Sequence, residues 1–259
     1  MSANLETVVV LAAGEGTRMK SSTPKVLHEV AGRTLVGHVL NAVNALAPKH
    51  VRVVVGAGRE AVEEHLREVA PNVTTVFQER RGGTGHAAQL ALADLTPKGT
   101  ILILAGDTPM LTGESLAALL EGHHAGGFTA SVLTAEHPEP TGYGRIIRGD
   151  DGSLLRIVEE KDADEFEKAI EEINSGVYAF DAVKLFEANQ AVATPAVWKG
   201  QANVLKLGTF TPLVVAVPAG SGRRTGIVTF RNKAFRRNTF SDPTPLEWWC
   251  NEQGSERAQ

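Results

Sequence analysis

The residues best placed to do chemistry stand near the start of the chain. Gly14-Glu15-Gly16-Thr17-Arg18-Met19 follows the apolar run Thr7–Ala13, and Lys25 follows Pro24. A glycine turn after a buried strand exposes backbone N–H groups that can cradle phosphate oxygens. Gly14 and Gly16 allow close backbone approach, and Arg18 adds a permanent positive charge. Two other phosphate loops are excluded. A Walker loop closes on Gly-Lys-Ser/Thr, whereas here Met19 precedes Lys20. A dinucleotide fingerprint needs a third glycine or alanine where Met19 stands, and an acid ending the second strand, which here runs into Gly56-Ala57-Gly58. A plain β–α turn is the bland alternative.

Further residues carry chemistry downstream. Asp107 ends the apolar strand Ile101–Ala105 at Gly106. A carboxylate at the C-terminal edge of a central strand lies where open α/β sheets bind ligands, and it suits Mg²⁺, which keeps most of its waters and bridges phosphates. The alternative is a turn aspartate ahead of Pro109. Gln78, just past a strand, can offer a bidentate amide to a base edge or be an ordinary surface glutamine. Gly83-Thr84-Gly85-His86 opens a helix that Thr84 could cap; His86 reads as structural.

The elements that must hold these residues alternate at short spacing. Strands are expected at Thr7–Ala13, Val51–Val55, Val73–Phe77 and Thr100–Ala105. Helices are expected over Leu35–Leu46, Ala61–Val69, Ala87–Leu95 and, capped by Thr112, Gly113–His123. This predicts an α/β fold with a doubly wound, mostly parallel, Rossmann-like sheet. The pattern then changes to strands at Thr129–Thr134, Arg145–Arg148 and Leu154–Glu159, a charged helix over Asp162–Glu172, and a strand at Ser175–Phe180. That half reads as a mixed β extension suited to a second substrate.

The net charge of −4 hides an asymmetry. Residues 190–259 hold 9 of the 26 Lys and Arg but 4 of the 30 Asp and Glu, a net +5; residues 1–189 hold 17 and 26, a net −9. Trp198, Trp248, Trp249 and the single cysteine, Cys250, also lie after residue 190. The shift predicts two regions, 1–189 and an atypical basic tail, 190–259, in which Leu213–Val217 reads as a strand. One cysteine excludes an internal disulfide framework and a multi-cysteine metal site. No stretch approaches the roughly 20 apolar residues of a membrane span, and the acid-bearing N-terminus does not read as a signal peptide. No membrane association is expected, and a cytoplasmic location is.

Six segments in order carry a resemblance. Leu11–Met19 with Pro24-Lys25-Val26-Leu27 resembles the signature of sugar-1-phosphate nucleotidyltransferases. Gln78 with Gly83-Thr84-Gly85-His86-Ala87, Gly106-Asp107-Thr108-Pro109, Thr141-Gly142-Tyr143-Gly144-Arg145-Ile146, Val158-Glu159-Glu160-Lys161 and Glu172-Ile173-Asn174-Ser175-Gly176 narrow it. Together, over about residues 7–189, they are most similar to the uridyltransferase half of the bifunctional N-acetylglucosamine-1-phosphate uridyltransferase and glucosamine-1-phosphate acetyltransferase family.

The resemblance implies the following. UTP and N-acetylglucosamine-1-phosphate give UDP-N-acetylglucosamine, a peptidoglycan precursor, and pyrophosphate by direct in-line displacement with Mg²⁺. Arg18 and Lys25 are the candidate catalytic residues. Leu11, Ala12, Gly14, Gly16, Lys25, Gln78, Gly83 and Thr84 would bind the nucleotide, Gly144, Glu159 and Asn174 the sugar, and Asp107 the metal. The same chemistry on another sugar-1-phosphate, or a nucleotide-sugar binding domain with little turnover, is the alternative. Past Asn189 the family's tyrosine-rich stretch and its second metal-ligating asparagine have no counterpart, and neither do the hexapeptide repeats of its left-handed β-helix. Acetyltransferase activity and the family's trimer are therefore not expected. A shifted reading frame, fusion or truncation near residue 190 is the expectation for the tail; nucleic-acid binding by its arginines is not.

Overall fold

The computed structural model describes residues 4–16, 19–80, 82–150, 154–192, 212–217 and 225–230. In chain order the elements are β1 (Leu5–Ala12), a short hairpin of β2 (Glu29–Val30) and β3 (Arg33–Thr34), α1 (Leu35–Asn44), β4 (His50–Val55), α2 (Arg59–Val69), β5 (Thr74–Phe77), α3 (Gly83–Leu92), β6 (Thr100–Ala105), α4 (Gly113–Gly126), β7 (Ala130–Glu136), β8 (Arg145–Arg148), β9 (Leu154–Val158), α5 (Glu165–Lys168), β10 (Glu172–Asp181), α6 (Ala182–Val192), β11 (Pro212–Val217) and β12 (Thr225–Phe230). Two compact units emerge. The first runs to Ala118 and resumes with Phe180 and α6; the second runs from Leu119 to Ala179 and takes in β11 and β12.

In the first unit the strands lie in the order β6-β1-β4-β5, all parallel. Val8, Val9 and Val10 of β1 and Leu102 and Leu104 of β6 are fully buried, as the unbroken apolar runs require of strands covered on both faces. The chain moves from β1 to β4 and β5 on one side, then returns to β6 on the other side of β1. That reversal is the topological switch point of a doubly wound sheet, where a crevice opens at the C-terminal strand ends. The α/β expectation is borne out.

Helix starts follow local chemistry. The Thr34 hydroxyl accepts from the Gly37 N–H, 3.2 Å, at the start of α1, and Thr112 accepts from the Ser115 N–H, 3.2 Å, at the start of α4. Thr84 does not cap α3: the cap position is Gly82, with no side-chain cap, which leaves Thr84 inside the first turn.

The second unit is the mixed β extension. Its strands run β11-β12-β7-β10, with β8 pairing β10 and β9 pairing β8. β12 pairs antiparallel with both β7 and β11. The charged helix expected over Asp162–Glu172 is shorter, only Glu165–Lys168. A capping box fixes its start: the Glu167 N–H donates to Asp164, 2.8 Å, and the Asp164 N–H to Glu167, 3.0 Å. Strand pairing ends it, since Ile173 registers against Arg145 and Glu172 already belongs to β10. Tertiary pairing here overrides helix propensity. The strand expected in the tail, Leu213–Val217, is β11; β12 and, ahead of the tail, α6 are elements that the hydrophobic pattern does not announce. The Asp181 carboxylate accepting from the Lys184 N–H, 2.9 Å, is the capping signal that announces α6. No helix among the described residues is long and apolar enough to cross a membrane.

Candidate functional site

Leu11 pairs with Ala105 and Ala12 with Val55, so β1, β4 and β6 end level with one another. Leu11 and Ala12 themselves lie within β1, where the Leu11 carbonyl accepts from the Gly106 N–H, 2.8 Å. That bond fixes the turn bearing Asp107 beside the start of the glycine loop. Gly14 has open space where a Cβ would sit, as close approach of a ligand requires. Thr17 and Arg18 lie outside the described residues.

Gly16 has φ +60°, and a Cβ there would lie 2.6 Å from the Lys25 Cβ. Glycine thus serves both the left-handed turn and the approach of the lysine stem. Pro24 and the 3₁₀ turn Lys25–Leu27 hold that stem, with the Pro24 ring against Gly58. Gly16→Ala should cost about 1–2 kcal/mol from the left-handed conformation alone, read as a lowered midpoint of urea unfolding; an unchanged midpoint would show that the loop relaxes freely.

The Lys25 ammonium makes an ion pair with the Asp107 carboxylate across the switch point. Two residues assigned separately, one to phosphates and one to a metal, are therefore direct partners. Both are partly exposed, so the pair contributes little to stability and both groups remain open to a ligand.

Gln78 is 8% exposed at the end of β5. Its amide nitrogen lies 3.2 Å from the Gly83 carbonyl, to which it donates, and 3.1 Å from His86 Nδ1. The expected bidentate contact with a base edge is thus narrowed to the amide oxygen, because the nitrogen is spent on the start of α3. Gly83 and Thr84 form the first turn of α3. A cavity of about 330 Å³ bordered by the β2–β3 hairpin contains none of these residues.

The second unit gathers Gly144, Glu159 and Asn174. The Asn174 N–H donates to the Gly144 carbonyl, 2.8 Å; a Cβ on Gly144 would lie 3.4 Å from Glu159 Oε1 and 3.5 Å from the Asn174 Cβ. Three residues from distant segments thus meet at one point, and the glycine keeps that point open. Of the two adjacent acids, Glu160 is the structural one: it accepts from Arg145 Nη2, 2.8 Å, and from the Gly142 N–H, 3.0 Å, and these bonds hold its carboxyl below the usual range, the Gly142 bond most. Glu159 is exposed; its backbone carbonyl accepts from the Asp162 N–H, 2.9 Å, while its carboxylate makes no hydrogen bond or ion pair among the described residues. Arg145 and Tyr178 carry no local sequence signal of a role here, although Tyr178 lies four residues beyond Asn174 and so on the same face of β10.

Residues 8–172 match the family of MobA-like NTP transferase domains. The chain belongs to this family. As an NTP transferase domain it is a nucleotidyltransferase, and the resemblance carried by the six segments is borne out by its relatives. Among them, "Bifunctional protein GlmU" of Streptomyces coelicolor is 56% identical over 190 residues, 72% of this chain and 39% of that protein. The protein of the same name from Thermobifida fusca is 46% identical over 224 residues, 85% of this chain and 45% of that protein. The chain therefore spans less than half the length of these relatives. A crystal structure of UDP-glucose pyrophosphorylase complexed with UDP-glucose superposes with a TM-score of 0.56 at 15% identity, over 72% of this chain and 80% of that one. At that identity the likeness establishes the NTP transferase fold alone.

Proposed function

We propose that this chain is a sugar-1-phosphate uridyltransferase that converts UTP and N-acetylglucosamine-1-phosphate to UDP-N-acetylglucosamine and pyrophosphate. The observation that carries the reading is the Lys25–Asp107 pair at the switch point beside the glycine loop. A uridylyl transfer needs both signs there: a cation for the triphosphate and a carboxylate for a counter-cation. The sugar follows from the resemblance of the Gly144, Glu159 and Asn174 segments and from the adjacency of those residues.

A phosphate oxygen of the sugar-1-phosphate attacks the α-phosphorus of UTP in line, and pyrophosphate leaves. The reaction requires alignment and neutralised charge, and no enzyme nucleophile. The loop from Leu11 through Gly14 and Gly16 offers backbone N–H groups to the phosphates, and Arg18 and Lys25 balance their charge. Gln78 presents its amide oxygen to the N3–H of uracil, with Gly83 and Thr84 beside it. Gly144, Glu159 and Asn174 take the sugar.

Asp107 fits Mg²⁺ as a single carboxylate whose partners would be water and substrate phosphate; it already faces a cation, Lys25. No group of three or more His, Cys, Asp or Glu among the described residues offers a closed metal cage. Bound there, Mg²⁺ would neutralise charge on the phosphates. The reading confines the transferase to residues 1–189.

Pyrophosphate release tests this. It should require UTP, N-acetylglucosamine-1-phosphate and Mg²⁺ together, fall when glucose-1-phosphate or another triphosphate is supplied, and vanish in Asp107→Ala. No release, with UTP still raising the melting temperature, would leave a binding domain without turnover and sink the reading.

A further inference from the structure

We propose that Tyr178 is a positioning residue that locks the Asn174 side chain with its amide NH₂ turned outward, so that the sugar half of the site offers a fixed hydrogen-bond donor to an acceptor oxygen on the sugar. This rests on the reading of Gly144, Glu159 and Asn174 as the sugar-binding set.

An asparagine amide has a donor end and an acceptor end of nearly equal shape, so its orientation is decided by its partners. Here the partners decide it. The Gly176 N–H donates to Asn174 Oδ1 at 3.0 Å, and a backbone N–H has no other role. The Tyr178 hydroxyl donates to the same oxygen at 2.9 Å. Both lone pairs of Oδ1 are therefore taken, and Nδ2, with its two hydrogens, is the end left for a ligand. The Gly176 N–H reaches the asparagine two residues earlier in the manner of an Asx turn, and Gly176 itself is left-handed, φ +75°. Tyr178 comes to the same oxygen by strand period, since residues 174, 176 and 178 share one face of β10.

The phenol is suited to a permanent donor. Burial, with a smaller push from the charge of Glu159, outweighs the opposing hydrogen bond to Asn174 and raises it to about 12. The O–H thus stays intact at every pH at which the protein would work. Glu159, beside Gly144, supplies an acceptor of opposite character. The pair together presents one donor and one acceptor, a pattern that a sugar bearing a carbonyl oxygen and hydroxyls can meet.

Removing the phenol oxygen leaves the Gly176 N–H alone to resist an amide flip. Loss of one neutral hydrogen bond corresponds to roughly a fivefold change. Tyr178→Phe should therefore raise KM for N-acetylglucosamine-1-phosphate about fivefold, with kcat and KM for UTP nearly unchanged. In the Asn174→Ala background the same substitution should add nothing, because its route of action is gone. In ¹⁵N-labelled wild-type protein the Asn174 side-chain NH₂ signal should shift on addition of the sugar phosphate.

The outcomes separate the two ideas. If Asn174→Ala leaves KM for the sugar phosphate unchanged, the sugar-half reading fails and the proposal with it. If Asn174→Ala raises KM but Tyr178→Phe does not, or if Tyr178→Phe acts equally in both backgrounds, the positioning role alone is overturned.

Discussion

Asp107→Asn is expected to lower the rate of pyrophosphate release about a thousandfold while leaving metal-free UTP binding intact or tighter. The two halves of that result have opposite physical origins. Asp107 is the carboxylate proposed to hold Mg²⁺ at the switch point, and losing a preorganised charge partner in such a site costs about 10²–10³ in rate, roughly 3–4 kcal/mol in the barrier. In the metal-free protein, however, the same carboxylate repels the triphosphate and engages Lys25 in an ion pair. While the pair persists, part of the ammonium's donor capacity and part of the carboxylate's acceptor capacity are taken up by each other. The amide of asparagine removes both obstacles at once.

The folded state should hardly notice the change. The side chains of Lys25 and Asp107 are 35% and 24% exposed, and a pair of that kind contributes at most about 1 kcal/mol. Calorimetric UTP titration in EDTA, beside initial rates in Mg²⁺, reads both halves. A loss of metal-free affinity in proportion to the loss of rate would show that Asp107 supports the nucleotide itself, contrary to the role given it here.

Much of this site was legible because its residues sit where punctuation falls in the sequence. Gly14, Gly16, Gln78 and Asp107 each follow an apolar run, and a parallel sheet brings the ends of such runs to one edge. Sequence order therefore carried spatial order. The Lys25–Asp107 contact was not legible, because it depends on Pro24 lying against Gly58 and on the lysine stem passing Gly16, contacts between segments that no local pattern links. Asn174 was found through its segment, but the orientation of its amide is set by Gly176 and Tyr178. The expected helix over Asp162–Glu172 failed for the opposite reason. Its charges suit a helix, yet Asp164 begins it late and pairing of β10 with β8 claims its end. Similarly, β12 has the β-branched composition of a strand, but its partner β7 lies about ninety residues earlier in the chain.

Arg145→Met is the second large expected effect, and it falls on stability. Arg145 is 1% exposed, and its guanidinium ties together segments that are far apart in sequence. Nη1 donates to the Tyr143 carbonyl, and Nη2 donates to Glu160 at 2.8 Å and to the Lys168 carbonyl at 3.3 Å. Methionine fills most of the volume but leaves those carbonyls without a donor, at about 1–3 kcal/mol for each that water cannot reach. A loss of about 3 kcal/mol at neutral pH is expected, measured by urea denaturation, with Arg145→Lys falling between because an ammonium cannot reproduce the planar fork.

The pH dependence identifies the partner. The Glu160 carboxyl is depressed in the folded state, by the Gly142 N–H first and by Arg145 after it. Stability drawn from a depressed carboxyl is fully present above its unfolded pKa and is lost as pH falls through the folded one. The difference between wild type and Arg145→Met should therefore be largest at neutral pH and shrink in acid. A difference that stays constant from pH 7 into the acid range would show that the arginine acts through the carbonyls alone. The consequence for function follows from register: Arg145 stands next to Gly144 and opposite Ile173, which precedes Asn174. Loosening it should raise KM for the sugar phosphate more than KM for UTP, because the residues proposed to bind the nucleotide belong to the other unit.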